Sequence, residues 1–89
     1  MISYGKHHID EDDIQAVVDV LRSGVLTQGL TVEAFEQAIA KYTGATYAIA
    51  VSSGTAALHL AALAAGVGPN KALATTPITF VASANAALY

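Results

Sequence analysis

The chain has 89 residues, of which 54% are apolar and only 12% are charged, and its formal net charge is −3. Charged residues make up about 25% of an average soluble domain, so this composition is typical of a parallel sheet covered by helices on both faces, or of a piece of a larger protein. Four basic residues are too few for a nucleic-acid surface, and the lack of cysteine excludes disulfides and thiolate metal sites. The start does not resemble a secretory signal, and no apolar run reaches the ~18 residues of a membrane span, so a cytoplasmic location is expected.

Two amphipathic helices are predicted in the first half of the chain. Asp10 can cap the first helix and Gly24 can end it, with apolar side chains at helical spacing between them: Ile14, Val17, Val18 and Leu21. The second helix is expected to begin at Thr31 or a neighbour and to end at Gly44 in a left-handed conformation. Its apolar face comprises Phe35, Ala38, Ile39 and Tyr42.

The second half of the chain predicts two strands, each followed by a helix. Residues 47–51 form a short apolar run with β-branched and aromatic members, which favours a buried strand. Residues 55–65 are rich in alanine and leucine and predict a helix that Gly66 ends. After a Gly-Pro-Asn turn, a second strand is expected at residues 73–76 and a last helix near Thr79. The order helix, helix, strand, helix, strand, helix predicts an α/β fold with a right-handed parallel crossover.

The junction between the first predicted strand and the helix after it is a candidate anion site. Residues 52–56 are Ser-Ser-Gly-Thr-Ala, and the first turn of a helix presents unpaired N–H groups together with the positive end of its dipole. Gly54 permits a sharp turn and the close approach of a ligand. The alternative is an ordinary helix capped by serine or threonine. Neither a Walker loop nor a dinucleotide-binding glycine fingerprint is present.

Four ordered blocks of the sequence resemble the DegT/DnrJ/StrS aminotransferase family. They are Leu-Thr-Gln-Gly at 26–29, Phe-Glu at 35–36, Ser-Gly-Thr-Ala-Ala-Leu at 53–58 and Thr-Pro-Ile-Thr-Phe-Val-Ala-Ser-Ala-Asn at 76–85. The resemblance covers essentially all 89 residues, whereas chains of the family have several hundred. It implies that residues 1–89 are the incomplete N-terminal part of the large domain of a fold-type-I aminotransferase that depends on pyridoxal 5′-phosphate (PLP).

The resemblance also implies which residues hold the cofactor. It assigns the PLP phosphate to the backbone N–H groups of Gly54, Thr55 and Ala56 and to the Thr55 hydroxyl. It places Phe80 against the pyridine ring, which a flat apolar side chain suits. Without the resemblance, Phe80 is interpreted as a core aromatic residue at the start of a helix. The first three residues coincide with the anion site predicted from the junction itself.

The resemblance further implies contacts to a nucleotide-sugar for five residues: Tyr4, Gly24, Val25, Leu26 and Thr27. The alternative is a surface tyrosine followed, later in the chain, by an ordinary turn. His7 and His8 are adjacent, so in an extended segment they point to opposite sides and cannot share a metal ion. No metal site is assigned, and His59 is expected to be a packed histidine of the alanine-rich helix.

Within the family, the sequence resembles most the pseudaminic-acid pathway enzymes, which aminate C4 of a UDP-linked 4-keto-hexosamine. The implied reaction is transamination of a keto-sugar nucleotide with glutamate as amino donor, in a homodimer with no membrane or nucleic-acid partner. The family's catalytic lysine and the acidic partner of the pyridine nitrogen are expected beyond residue 89, because Lys6, Lys41 and Lys71 do not match the lysine motif. The chain alone is therefore expected to be inactive, with no catalytic residue. Two alternatives remain: a PLP-dependent sugar dehydratase with histidine in place of the lysine, and a non-catalytic truncated α/β module.

Overall fold

A computed structural model describes residue 2 and residues 4–89. The helices in this part of the chain are α1 (Glu11–Arg22), α2 (Leu30–Thr43), α3 (Gly54–Ala64) and α4 (Ala82–Asn85). The chain divides into two compact units, Met1–Ala48, which holds α1 and α2, and Ile49–Tyr89, which holds α3 and α4. None of the helices described is both long and apolar enough to cross a membrane.

Helix α1 begins where its sequence predicts, because its first turn carries its own cap. Asp10 Oδ1 accepts a hydrogen bond from the Asp13 N–H at 3.0 Å, and Asp13 Oδ2 accepts one from the Asp10 N–H at 3.1 Å. This reciprocal capping box satisfies two backbone donors at once. At the other end, Ser23 is the C-cap and Gly24 follows with φ of 79°, a left-handed conformation in which glycine has no steric penalty. The predicted cap and terminator of this helix are confirmed.

Helix α2 starts at Leu30, one residue before the predicted Thr31. Its N-cap, Gly29, has extended backbone and makes no side-chain hydrogen bond. Gly44 follows the helix with φ of 76°, so its predicted left-handed conformation is confirmed. Thr43 helps to close the last turn, since its hydroxyl donates to the Ile39 carbonyl oxygen at 2.8 Å.

The two predicted strands are not formed. Neither residues 47–51 nor residues 73–76 are in a strand, and the described part of the chain contains no strand at all. The first segment is not buried either, since Ile49 is 80% exposed. A strand is stabilised by hydrogen bonds and side-chain pairs across a ladder, so an apolar run without a neighbouring strand supplies only a preference. Alanine at positions 72 and 74 weakens that preference further in the second segment.

Helix α3 agrees with the predicted helix to within one residue at each end. Ser53 caps its start, and its C-terminus closes with a Schellman motif. The Val67 N–H donates to the Ala62 carbonyl at 2.9 Å and the Gly66 N–H donates to the Leu63 carbonyl at 3.0 Å. Gly66 supplies the left-handed φ of 72° that this motif requires.

Helix α4 begins at Ala82, three residues after the predicted start near Thr79. The Ser83 N–H donates to the Phe80 carbonyl at 3.1 Å, a bond between residues three apart, so a tighter turn precedes the helix. Pro77 lies just upstream and favours extended backbone in the residue before it. The single α-helical turn that results is four residues long.

The buried core among the described residues consists of three alanines, Ala62, Ala82 and Ala86. They lie on α3, on α4 and directly after α4, the two helices being in contact. Beside them the rings of His59 and Tyr89 meet edge to face, with centroids 5.5 Å apart, so the expectation of a packed His59 is supported. By contrast, no described residue of α1 or α2 is buried, and Val17 on the apolar face of α1 is 60% exposed. The predicted apolar faces are present but uncovered.

Candidate functional site

An open cleft of about 630 Å³ lies between α3 and the segment that leads into α4, within the second unit. It is lined by Gly54, Thr55, Ala57, Leu58, Ala61, Phe80, Ala82 and Ser83. Three of the four residues predicted to hold the cofactor therefore lie in one cleft, although residues 54 and 80 are far apart in sequence. The fourth, Ala56, is not part of the lining.

The backbone N–H groups at the N-terminus of α3 fall into two sets, those bonded to Ser53 and those without a partner in the helix. Ser53 Oγ accepts a hydrogen bond from the Ala56 N–H at 3.1 Å, and the Ser53 carbonyl accepts one from the Ala57 N–H at 3.1 Å. The N–H groups of Gly54 and Thr55 precede this first intrahelical bond and have no partner inside the helix. Ser53 is thus the N-cap of the simpler interpretation, and it still leaves the first two amides at the helix terminus available to a ligand.

The first turn of α3 carries no carboxylate of its own to neutralise the positive end of the helix dipole. A helix N-terminus carries roughly half a positive charge, so an anion is stabilised there. The first turn of α3 therefore favours a negatively charged group.

Nothing among the described residues requires glycine at position 54. It is the first residue of α3, its φ is not positive, and an added Cβ at this position would meet nothing within 4 Å. Gly54 is also one of the residues that line the cleft. A small residue here keeps the backbone N–H groups accessible to a ligand.

Phe80 is not the core aromatic residue of the alternative interpretation. Its side chain is 73% exposed and lines the cleft. An aromatic face of this kind can stack on a flat ring, and such pairs stabilise by about 0.5–1.5 kcal/mol beyond the area they bury. None of the residues that line this cleft has a titratable side chain, so the arrangement can bind an anion attached to a flat ring but cannot by itself move a proton.

Sequence reasoning missed several residues of the cleft. Leu58 and Ala61 were assigned no role, although positions 54, 57, 58 and 61 have the spacing of one helix face. That spacing was a usable signal. Ser83 was also missed, and it follows Phe80 by three residues, which places it one helical turn further along.

The five residues predicted to contact a nucleotide-sugar all lie in the first unit, and one of them, Val25, lines a cavity there. The loop that joins α1 to α2 has Val25 in the lining of a cavity of about 420 Å³, together with Ser23, Gln28, Gly29, Leu30 and Thr31. The other four, Tyr4, Gly24, Leu26 and Thr27, are not in that lining. Tyr4 is fully exposed, which agrees equally with a surface tyrosine.

The loop itself is held by local hydrogen bonds rather than by packing. The Ser23 hydroxyl donates to the Val20 carbonyl oxygen at 2.6 Å and accepts from the Val25 N–H at 3.4 Å. Gln28 has φ of 51°, an uncommon conformation for a residue with a side chain. The turn is therefore well defined locally, and its apolar side chains Val25 and Leu26 remain exposed.

Comparison with known proteins identifies relatives over nearly the whole chain. It is 46% identical over 88 residues to the UDP-4-amino-4,6-dideoxy-N-acetyl-beta-L-altrosamine transaminase of Campylobacter jejuni, covering 99% of this chain and 23% of that protein. It is 46% identical over 77 residues to the UDP-4-amino-4-deoxy-L-arabinose–oxoglutarate aminotransferase of Shewanella sediminis, covering 86% of this chain and 20% of that protein. It is 41% identical over 88 residues to the spore coat polysaccharide biosynthesis protein SpsC of Bacillus subtilis, covering 99% and 23%.

The chain thus spans about a quarter of the length of these relatives. No solved structure matches it. The profile of the DegT/DnrJ/EryC1/StrS aminotransferase family matches residues 7–89, which include the α3 N-terminus and Phe80. The chain belongs to the DegT/DnrJ/EryC1/StrS aminotransferase family.

Proposed function

We propose that residues 1–89 form the N-terminal segment of the large domain of a PLP-dependent aminotransferase that acts on a keto-sugar nucleotide. The observation that carries the proposal is the cleft that brings Gly54, Thr55 and Phe80 together. Backbone amides at a helix N-terminus suit a phosphate, and an exposed aromatic ring suits a pyridine ring. PLP combines those two groups in one molecule, so the residues present fit it.

The names of the relatives support the substrate class. Two of them are named as aminotransferases of UDP-linked 4-amino sugars. We therefore propose that the reaction installs nitrogen at C4 of a UDP-4-keto-6-deoxy-hexosamine. Glutamate is the proposed amino donor, because the name of the Shewanella relative includes oxoglutarate, the keto acid that corresponds to glutamate. The same names favour transamination over the dehydratase alternative.

In the proposed complex, bound PLP supplies the ring that accepts electrons while the amino group is transferred. The chain's own residues bind and orient it: the N–H groups of Gly54 and Thr55 and the Thr55 hydroxyl hold the phosphate, and Phe80 stacks on the ring. Ala56 has a different status. Because its N–H donates to Ser53 Oγ at 3.1 Å, it joins the phosphate site only by exchanging that partner for a phosphate oxygen.

The nucleotide-sugar is assigned to the first unit. We propose contacts from five residues: Tyr4, Gly24, Val25, Leu26 and Thr27. Exposure of Tyr4 and Leu26 supports this assignment, since both side chains are available to a ligand. We further propose a cytoplasmic homodimer, as the family resemblance implies.

A spectroscopic experiment tests the proposed function. The full-length protein, purified with PLP, is expected to show an absorption band of the bound cofactor that shifts when glutamate is added. Thr55→Ala removes a hydrogen bond to a charged group, so PLP affinity should fall about tenfold. The matched control is Thr43→Ala, whose hydroxyl bonds the Ile39 carbonyl in α2 and should leave PLP affinity unchanged. A full-length protein without the band would refute the proposal.

A further inference from the structure

The cofactor cleft contains a second hydroxyl group, that of Ser83, to which no role is assigned above. Ser83 is half-buried and lines the cleft beside Phe80. Its N–H donates to the Phe80 carbonyl at 3.1 Å, so the two residues belong to one turn. This turn therefore fixes the position of Ser83 relative to Phe80.

The surroundings of the Ser83 hydroxyl leave it in need of a partner once a ligand covers the cleft. Apart from Thr55 and Ser83, the cleft is lined only by glycine, alanine, leucine and phenylalanine. The Thr79 hydroxyl oxygen lies 3.5 Å from Ser83 Oγ. Good hydrogen bonds between hydroxyls are typically about 2.5–3.0 Å long, so this contact is longer than a good hydrogen bond. A hydroxyl that loses water without gaining a partner destabilises a complex, so a ligand that supplies a polar atom here is favoured.

We propose that Ser83 is a further binding residue of this cleft, whose hydroxyl hydrogen-bonds to a polar atom on the ring of the ligand and not to its phosphate. The inference rests on the proposed PLP site. In this arrangement Thr55 and the α3 amides bind the phosphate, while Phe80 and Ser83, which belong to one turn of the chain, bind the ring.

The test compares PLP with pyridoxal, which has the same ring without the phosphate. In the full-length protein, Ser83→Ala should weaken binding of both compounds to a similar degree, about fivefold, as expected for one hydrogen bond. Thr55→Ala should weaken PLP far more than pyridoxal. Ser83→Thr keeps a hydroxyl and should restore most of the affinity. Thr43→Ala, which removes an exposed hydroxyl of α2 outside the cleft lining, serves as the control.

The outcomes separate this inference from the proposed function. If wild-type protein binds neither compound, the proposed PLP site fails. If wild type binds PLP and Ser83→Ala weakens only PLP, or neither compound, the ring contact of Ser83 is wrong. The urea midpoint of the ligand-free Ser83→Ala protein should equal that of wild type. A lowered midpoint with unchanged ratios of affinity would assign Ser83 a structural role instead and overturn the proposal.

Discussion

The N-termini of α1 and α3 carry the same partial positive charge of a helix dipole but differ in the acidic side chains beside it. Helix α1 fills its own N-terminus: Asp10 and Asp13 form a reciprocal capping box, and the first turn holds the acidic residues Glu11, Asp12 and Asp13. Helix α3 uses one neutral serine as its cap and has no acidic residue in its first turn. Both helices have terminal amides and a dipole, but of the two only α1 has carboxylates in its first turn.

This difference is the reason why we propose a binding role for the N-terminus of α3 and a structural role for that of α1. A capping residue alone is ambiguous, because Asp10 and Ser53 both cap. The useful criterion is what surrounds the cap: acidic side chains at α1, and at α3 a glycine, a hydroxyl and an exposed aromatic ring in one cleft. An anion would be repelled at the first site and attracted at the second.

The largest effect is expected from giving α3 the cap of α1. Ser53→Asp and Ser53→Asn both preserve an N-cap, since aspartate, asparagine and serine cap about equally well. They differ only in charge. Two like charges about 4 Å apart near a protein surface repel by roughly 4 kcal/mol, so PLP should bind the aspartate variant about 1,000-fold more weakly than the asparagine variant.

Binding of PLP to the two Ser53 variants can be followed by absorbance titration of the full-length protein. Pyridoxal, which lacks the phosphate, should bind both variants alike. Equal PLP affinities for the aspartate and asparagine variants would mean that the phosphate is not at α3, and the comparison between the two helix termini would lose its functional meaning.

A smaller effect is expected from Phe80, the aromatic part of the α3 site that has no counterpart at α1. Phe80→Ala removes the stacking surface, so PLP affinity should fall about tenfold. Because the side chain is 73% exposed, the free energy of unfolding should change by no more than about 0.5 kcal/mol. Phe80→Tyr keeps the ring and is the control. A large loss of stability without a loss of affinity would instead support a core role.

The smallest effect tests α1 from the other direction. Asp10→Ala removes the cap and should lower the free energy of unfolding by about 1 kcal/mol, measured from the urea transition of the full-length protein. Asp10→Asn, which still caps, should lose much less. PLP affinity should stay unchanged in both variants. A change in affinity here would show that α1 takes part in cofactor binding, contrary to the comparison.

The helices could be predicted from the sequence because their signals are local. A capping aspartate at position 10 and left-handed glycines at 24, 44 and 66 act on the turn in which they lie, and all four have the predicted roles. Whether residues 47–51 and 73–76 form strands could not be predicted in this way. A strand depends on pairing partners elsewhere in a protein, and an apolar run carries no information about whether those partners are present.

Part of the candidate site could be predicted from local sequence. Gly54 and Thr55 were predicted both from the junction before the helix and from the family motif, Phe80 was predicted from the motif alone, and all three line the cleft. Ser83 was not predicted, because its place in the cleft depends on how the helices pack, whereas Leu58 could have been found from its helical spacing relative to residue 54. The hydrogen bond from the Ala56 N–H to Ser53 could also not be predicted, since the sequence alone leaves open which amide a capping serine accepts from.

The three buried alanines next to the cleft impose a strict limit on side-chain size. Ala62 lies on α3, Ala82 on α4 and Ala86 directly after α4, and burying them orders almost nothing beyond the backbone, because alanine has no rotamer freedom to lose. Because these positions are buried, methyl groups added there would have to displace the neighbouring atoms. The smallest side chains in this part of the chain thus hold the positions that are least able to accept a larger one.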